Sequence, residues 1–150
     1  KMKKIIHPLA GGVAILMIAI FWLSTAISEL SGSEPFVVLV KTLIPWGFII
    51  LAPALAAVGG TGFALGGGRS SGLVGKKRKR MPIIAANGVL ILIPSALFLA
   101  AKAKAGDFDG TFYTIQMVEL AAGAVNLWLL TKNALDGRKL TARRRSSARR

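Results

Sequence analysis

Three amide or carboxylate side chains lie within an otherwise apolar stretch, YTIQMVELAAGAVNLWLL, at residues 113–130. At 100° per residue, Gln116, Glu119 and Asn126 share one face of a helix with Gly123. A single polar stripe of this kind can point into a bundle, where neighbouring helices supply hydrogen-bond partners. The spacing therefore predicts a buried stripe with an ionisable carboxylate near its centre.

Lys41 is the matching charge of opposite sign, within the apolar segment 36–58. At 1.5 Å per residue, Lys41 lies roughly 9 Å and Glu119 roughly 10 Å from the same predicted membrane surface. An unpaired charge at this depth costs about 3 kcal/mol on insertion scales, so an ion pair between the two is predicted. The pair either fixes helix register or belongs to a polar cavity that handles a proton, a quinone or a small polar solute. Glu119 has two other candidate partners, a serine hydroxyl (Ser24 or Ser28) and its own copy in a dimer.

Two asparagines are predicted to meet nearer the other surface. Asn87 lies about 9 Å into the third apolar segment and Asn126 about 12 Å into the fourth, at 1.5 Å per residue. A hydrogen bond between them would contribute about 0.6 kcal/mol, the average measured within membranes.

His7, the one histidine, precedes the first apolar segment, and Met81 starts the third on the same predicted side. Together they allow a hypothesis of axial ligation to b-type haem, or of quinone binding. An interfacial histidine that contacts a lipid headgroup is the simpler interpretation, because a lone histidine forms no ligand constellation.

Four apolar segments of about 20 residues must position these side chains, and each is long enough to cross a hydrocarbon core of roughly 30 Å. They predict an all-α integral membrane protein whose four transmembrane helices form two antiparallel hairpins, a four-helix bundle within residues 8–135. The segments are residues 8–28, 36–58, 82–101 and 112–131.

The net charge of +14 is concentrated on one side of this topology, which carries 17 of the 20 basic residues. The positive-inside rule then places the N-terminus (1–7), the glycine-rich loop at about 66–80 and the tail (136–150) in the cytoplasm. Because topology accounts for the charge, no nucleic-acid partner is predicted. The basic runs are expected to bind anionic lipid headgroups, with the tail disordered or loosely helical away from the membrane. The residues concerned are Lys76, Lys77, Arg78, Lys79, Arg80, Arg143, Arg144 and Arg145.

Small residues recur at helical spacing, as in Ala52, Ala56 and Gly60, and again around Gly88 and Gly123. In lipid such residues let helix backbones approach closely, which favours a compact bundle or a dimer.

The function classes are bounded by what the sequence lacks. It contains no cysteine and no catalytic constellation of serine, histidine and acid. We therefore expect a non-catalytic component of a bacterial inner membrane, either an accessory subunit beside other membrane proteins or a self-associating bundle. The alternatives are a haem- or quinone-binding electron-transfer protein and a small-solute or proton transporter that uses Lys41 and Glu119.

Overall fold

The computed structural model describes residues 2–67 and 72–147, without the side chains of residues 143–145, and this part of the chain is helical apart from short turns. A π-helical segment, Gly88–Leu92, joins the helix that ends at Asn87 to the helix that begins at Ile93 without a break. The α-helices are α1 (Met2–Leu30), α2 (Glu34–Gly66), α3 (Gly72–Asn87), α4 (Ile93–Lys104) and α5 (Gly110–Ser147).

Within the described residues, four helical stretches are long and apolar enough to cross a membrane, the third formed by α3, the π-helical segment and α4. Their outward faces are apolar, as in α1, where Leu16, Ile20, Leu23 and Ile27 are all exposed. The buried residues of the same helix include Ser28, a polar side chain. A helix with leucine and isoleucine outside and hydroxyls inside suits a lipid solvent, which indicates an integral membrane protein.

Helices α1 and α2 pack along much of their length. Near one end His7 of α1 contacts Thr61 of α2, and near the other Thr25 of α1 contacts Lys41 of α2. We call the end with His7 the basic end and the end with Lys41 the opposite end. An apolar cluster from α1, α2, α3 and α5 lies towards the basic end. A smaller one around Leu99 and Phe112 joins α2, α4 and α5 at the opposite end.

The π-helical segment ends two residues before Pro94. Proline has no backbone N–H and its ring crowds the carbonyl four residues earlier, here that of Leu90. A wider π-turn is one way for a helix to continue past such a position. The predicted third segment therefore forms one continuous helical stretch, in which a π-helical turn interrupts the regular α-helical hydrogen bonding.

Two boundaries differ from the sequence prediction. Helix α3 begins at Gly72, so the basic run from Lys76 to Arg80 is helical and the predicted loop at 66–80 is shorter. Helix α5 continues to Ser147, beyond the predicted end of the four-helix domain at residue 135, and a helical tail is one of the two states expected there. Lysine and arginine are good helix formers, and a helix that has already been nucleated by an apolar segment extends at little cost.

Asp109 caps α5 at the opposite end. Its Oδ1 accepts a hydrogen bond of 2.8 Å from the backbone N–H of Phe112, and its Oδ2 lies 2.5 Å from the Lys102 ammonium. The hydrogen bond from Lys102, followed by that from the Phe112 N–H, holds the pKa of Asp109 below its ordinary value of 3.8. The charged carboxylate therefore stabilises the start of α5.

We expect Asp109→Ala to lower the melting temperature of the detergent-purified protein at neutral pH. Because the folded-state pKa is depressed, the contribution of Asp109 is fully present above pH 3.8 and is lost as the pH falls through the folded value. The difference between wild type and variant should therefore shrink in acid. Asp109→Asn retains a capping oxygen without the titration, so its difference from Asp109→Ala should not depend on pH. A wild-type advantage over Asp109→Ala that stayed equally large in strong acid would contradict this role for the charge.

Candidate functional site

The Lys41 ammonium of α2 lies 2.5 Å from a carboxylate oxygen of Glu119 on α5. Both residues are buried, with 1% of Lys41 and 9% of Glu119 exposed. Lys41 also donates a longer hydrogen bond of 3.5 Å to the Thr25 hydroxyl of α1. One buried cation thus connects three helices. The two serines considered as partners for Glu119 donate to carbonyls of their own helix instead.

The other members of the polar stripe also point inward. The Gln116 amide nitrogen donates to Glu119 at 3.0 Å, and only 3% of Gln116 is exposed. Its amide oxygen is buried and, among the described residues, accepts no hydrogen bond. One carboxylate oxygen of Glu29, in the last turn of α1, is in the same state. Glu29 was not among the residues predicted to form this site, although it lies one helical turn after Thr25 and therefore on the same face of α1.

Asn87 and Asn126 join α3 to α5 towards the basic end. The Asn87 amide donates to the side-chain oxygen of Asn126 at 2.9 Å and to the carbonyl of Ala122 at 2.8 Å. Asn126, 1% exposed, donates in turn to the carbonyl of Ile84 at 3.3 Å. The two amides form a satisfied network, which in an apolar bundle fixes the register of the helices.

His7 is held between two helices at the basic end. Its Nδ1 lies 2.9 Å from the Thr61 hydroxyl, and its Nε2 lies 2.8 Å from the Lys77 ammonium. Thr61 donates its own proton to the carbonyl of Ala57, so it can only accept from His7. The geometry therefore assigns a neutral ring that carries its proton on Nδ1 and accepts from Lys77 on Nε2.

Met81 is engaged elsewhere, since its sulfur accepts a hydrogen bond of 3.5 Å from the Asn133 amide. Arg80 lies beside it and forms an ion pair of 2.8 Å with Asp136 of α5. A His7–Met81 pair of axial ligands would require both residues to exchange their present partners. The contacts thus favour a structural role for His7 within the basic end.

The remaining basic residues lie at the surface or beyond the described side chains. Lys76, Arg78 and Lys79 are exposed, whereas Lys77 is half-buried. The backbone of residues 143–145 is helical, but the side chains of Arg143, Arg144 and Arg145 lie outside the described part of the chain.

A cavity of about 720 Å³ lies between the helices. Thr25 and Glu119 line it towards the opposite end, and Lys77, Arg78 and Met81 line it at the basic end. Most of its remaining wall is apolar, with contributions from every transmembrane stretch. Examples are Ile18, Phe21, Trp22, Ile44, Phe48, Leu51, Leu55, Ile84, Leu92 and Leu120.

The cavity is the feature that sequence reasoning missed. Small residues were expected to let helices pack closely, yet Ala52, Ala56, Ala85, Gly88 and Gly123 all line this space. A row of small residues can either admit a neighbouring helix or leave a gap, and the sequence pattern is the same in both cases. Small residues cluster on three of the four apolar segments. This clustering is the one feature of the sequence that indicated a cavity between those segments.

The Trp22 indole indicates that this space has an ordered wall. Its N–H donates to the carbonyl of Leu120 at 2.8 Å, which anchors α1 to α5 across the cavity.

Comparison with protein-family profiles, curated proteins and solved structures found no significant match to this chain, so the site is interpreted from its own chemistry.

Proposed function

We propose that this protein is a non-catalytic membrane bundle whose central cavity holds a lipid-soluble molecule. The observation that carries the proposal is the cavity itself, about 720 Å³ in volume and walled mainly by apolar side chains. Ligand sites in proteins commonly measure about 300–1,000 Å³ and combine an apolar lining with a few polar groups. Glu119 and Thr25 at one end and Lys77 and Arg78 at the other supply such groups.

The proposal includes a topology of two antiparallel hairpins with both termini in the cytoplasm of a bacterial inner membrane. Support for the hairpins comes from contacts between the start of α1 and the end of α2, such as that of His7 with Thr61. Support for the orientation comes from the 17 basic residues that collect at the termini and in the segment around residues 66–80.

In the same proposal, the basic end lies against anionic lipid headgroups. Exposed Lys76 and Lys79 support this, since each Lys or Arg near such a surface contributes about 1 kcal/mol of attraction. Arg80 contributes less in this scheme because Asp136 already pairs with it. The bundle would work as an accessory component beside other membrane proteins or a second copy of itself.

A cavity-filling variant tests the proposal. Gly59 lines the cavity, and nothing lies within 4 Å of a Cβ built on it, so the ring of Gly59→Phe has room to occupy the space. Gly60 is equally open but exposed and not among the lining residues, so Gly60→Phe is the matched control. We expect native mass spectrometry of membrane-extracted protein to show one retained lipid-soluble molecule in wild type and Gly60→Phe, and its loss in Gly59→Phe. Equal occupancy in the two variants, or none in wild type, would contradict the proposal.

A second candidate function is transport of a proton or small solute, favoured by the position of Glu119 on the cavity wall while it is paired with Lys41. Uptake by reconstituted vesicles that is abolished by Glu119→Gln, but unaffected by Gly59→Phe, would favour this function over ligand storage.

A further inference from the structure

The cavity opens sideways between α2 and α3. Among its described lining residues, every one that is exposed at the surface belongs to these two helices or to the adjoining π-helical segment. Ala52, Ala56 and Phe63 lie on one side of the opening, and Ala85 and Val89 on the other. Because these are membrane-spanning stretches, the opening faces lipid chains, and an acyl chain can enter it without crossing water.

Two cations border the basic end of this opening. The Lys77 ammonium is held by His7 at 2.8 Å, which uses one of its three protons. The Arg78 guanidinium lies 4.9 Å from the centre of the Phe63 ring and so reaches across from α3 to α2. Within the described residues, Arg78 forms no ion pair, and Asp136, the acid nearest to this end, is paired with Arg80. Donors for an anionic group are therefore available where the opening meets the headgroup region.

The deeper end of the cavity offers no comparable charge. Glu119 is the one ionised group there among the described lining residues, and Lys41 neutralises it at 2.5 Å. Between the two ends the wall is formed mainly by apolar side chains, with the Trp22 indole among them and the Asn126 amide as a polar exception. The cavity thus has one cationic end and a long apolar interior. That polarity matches a molecule with an anionic head and an apolar chain.

We propose that the occupant is an anionic phospholipid from the surrounding leaflet, with its phosphate at Lys77 and Arg78 and one acyl chain in the cavity. This inference rests on the proposed ligand-binding function and adds the chemical class of the ligand and its route of entry. Arg78 binds phosphate through its planar guanidinium, and Lys77 adds a point charge whose position is fixed by His7. The cation–π contact with Phe63 holds the Arg78 guanidinium at the basic end of the opening.

The fluorescence of Trp22 reports whether a lipid chain occupies the cavity. Trp46 and Trp128 are 70% and 57% exposed and lie outside the lining, so replacing both with phenylalanine leaves Trp22 as the single fluorophore facing the cavity. The protein is reconstituted in nanodiscs that contain phosphatidylglycerol or phosphatidylcholine with the same brominated chains, since bromine quenches tryptophan at short range. We expect the anionic lipid to quench Trp22 more strongly than phosphatidylcholine does. Lys77 and Arg78 should each contribute about fivefold to this preference for the anionic lipid. Inorganic phosphate should not compete, because it has no chain.

Variants that remove the positive charge at the basic end of the opening should abolish the preference for the anionic lipid. Arg78→Gln, alone and with Lys77→Gln, should make the two lipids quench equally, while Arg78→Lys should keep part of the preference. Lys104→Gln removes one exposed cation that lies at the opposite end and does not line the cavity, so it is the matched control for Arg78→Gln and should behave as wild type. Because Lys77 also holds His7, the single Arg78→Gln variant keeps the test valid if the double variant misfolds.

The outcomes separate this inference from the proposed function. Equal quenching by the two lipids in the otherwise unmodified protein, removed by Gly59→Phe, would overturn the anionic headgroup site but keep a ligand in the cavity. Quenching that Gly59→Phe leaves unchanged would overturn the cavity as a binding site, and this inference with it. A preference retained in Arg78→Gln but lost when Lys76 and Lys79 are both replaced by glutamine would assign the headgroup to the exposed surface instead.

Discussion

Replacing either Lys41 or Glu119 alone should destabilise the protein by about 3–5 kcal/mol, the usual cost of breaking a buried ion pair by removing one partner. Lys41→Met leaves the Glu119 carboxylate buried without its cation, and Glu119→Gln leaves the ammonium without its ion-pair partner and with a long hydrogen bond of 3.5 Å to the Thr25 hydroxyl. The free energy of unfolding in mixed micelles, measured by helical circular dichroism against added denaturing detergent, gives the loss directly.

The double variant decides whether the two charges act on one another. Lys41→Met with Glu119→Gln removes both charges, so we expect it to lose no more than either single variant loses. Lys102→Met is the control for loss of a lysine from an exposed ion pair, since its partners Asp107 and Asp109 are about half exposed, and its effect should be much smaller. Additive losses in the double variant would mean that the pair does not couple α2 to α5.

Gly47→Ala should cost about 1–3 kcal/mol, the usual range for forcing extra volume into a packed interior. A Cβ at Gly47 would overlap the Phe21 ring of α1 and touch the Met17 side chain, so α1 and α2 would have to separate or the ring would have to turn. Phe21 already packs edge-on against Phe48, with ring centres 6.0 Å apart, and movement would weaken that contact as well. The same unfolding measurement in mixed micelles detects the loss.

Gly60→Ala is the matched control on the same helix, because nothing lies within 4 Å of a Cβ there. We expect it to be neutral or to stabilise by up to about 1 kcal/mol, since alanine is the better helix former. A Gly47→Ala protein as stable as Gly60→Ala would show that α1 and α2 are not in close contact at this glycine.

Hydrophobic blocks and matched depths were sufficient to predict four helices with an inward-facing polar stripe, and to match Lys41 with Glu119. These features follow from local rules, because a charge within lipid must find a partner and depth restricts the choice. The same reasoning matched Asn87 with Asn126, which share a hydrogen bond of 2.9 Å.

Features that depend on helix tilt could not be predicted in this way. The separation of α2 from α3, and hence the cavity, depends on how the helix through the π-helical segment and Pro94 is directed. The link from Lys77 to His7 spans 70 residues of sequence and needs α3 to begin ten residues before its apolar part. The basic run from Lys76 to Arg80 was assigned to a loop because its charge was interpreted only as a signal of membrane topology. Lysine and arginine are also good helix formers, so the same residues are compatible with a helix.

An experimental structure of the protein extracted with its native lipids tests the central claim most directly. We predict elongated density that begins beside Lys77 and Arg78, passes between α2 and α3 and ends near Trp22. A cavity closed by direct contact of α2 with α3, or filled by side chains from the bundle, would contradict the account.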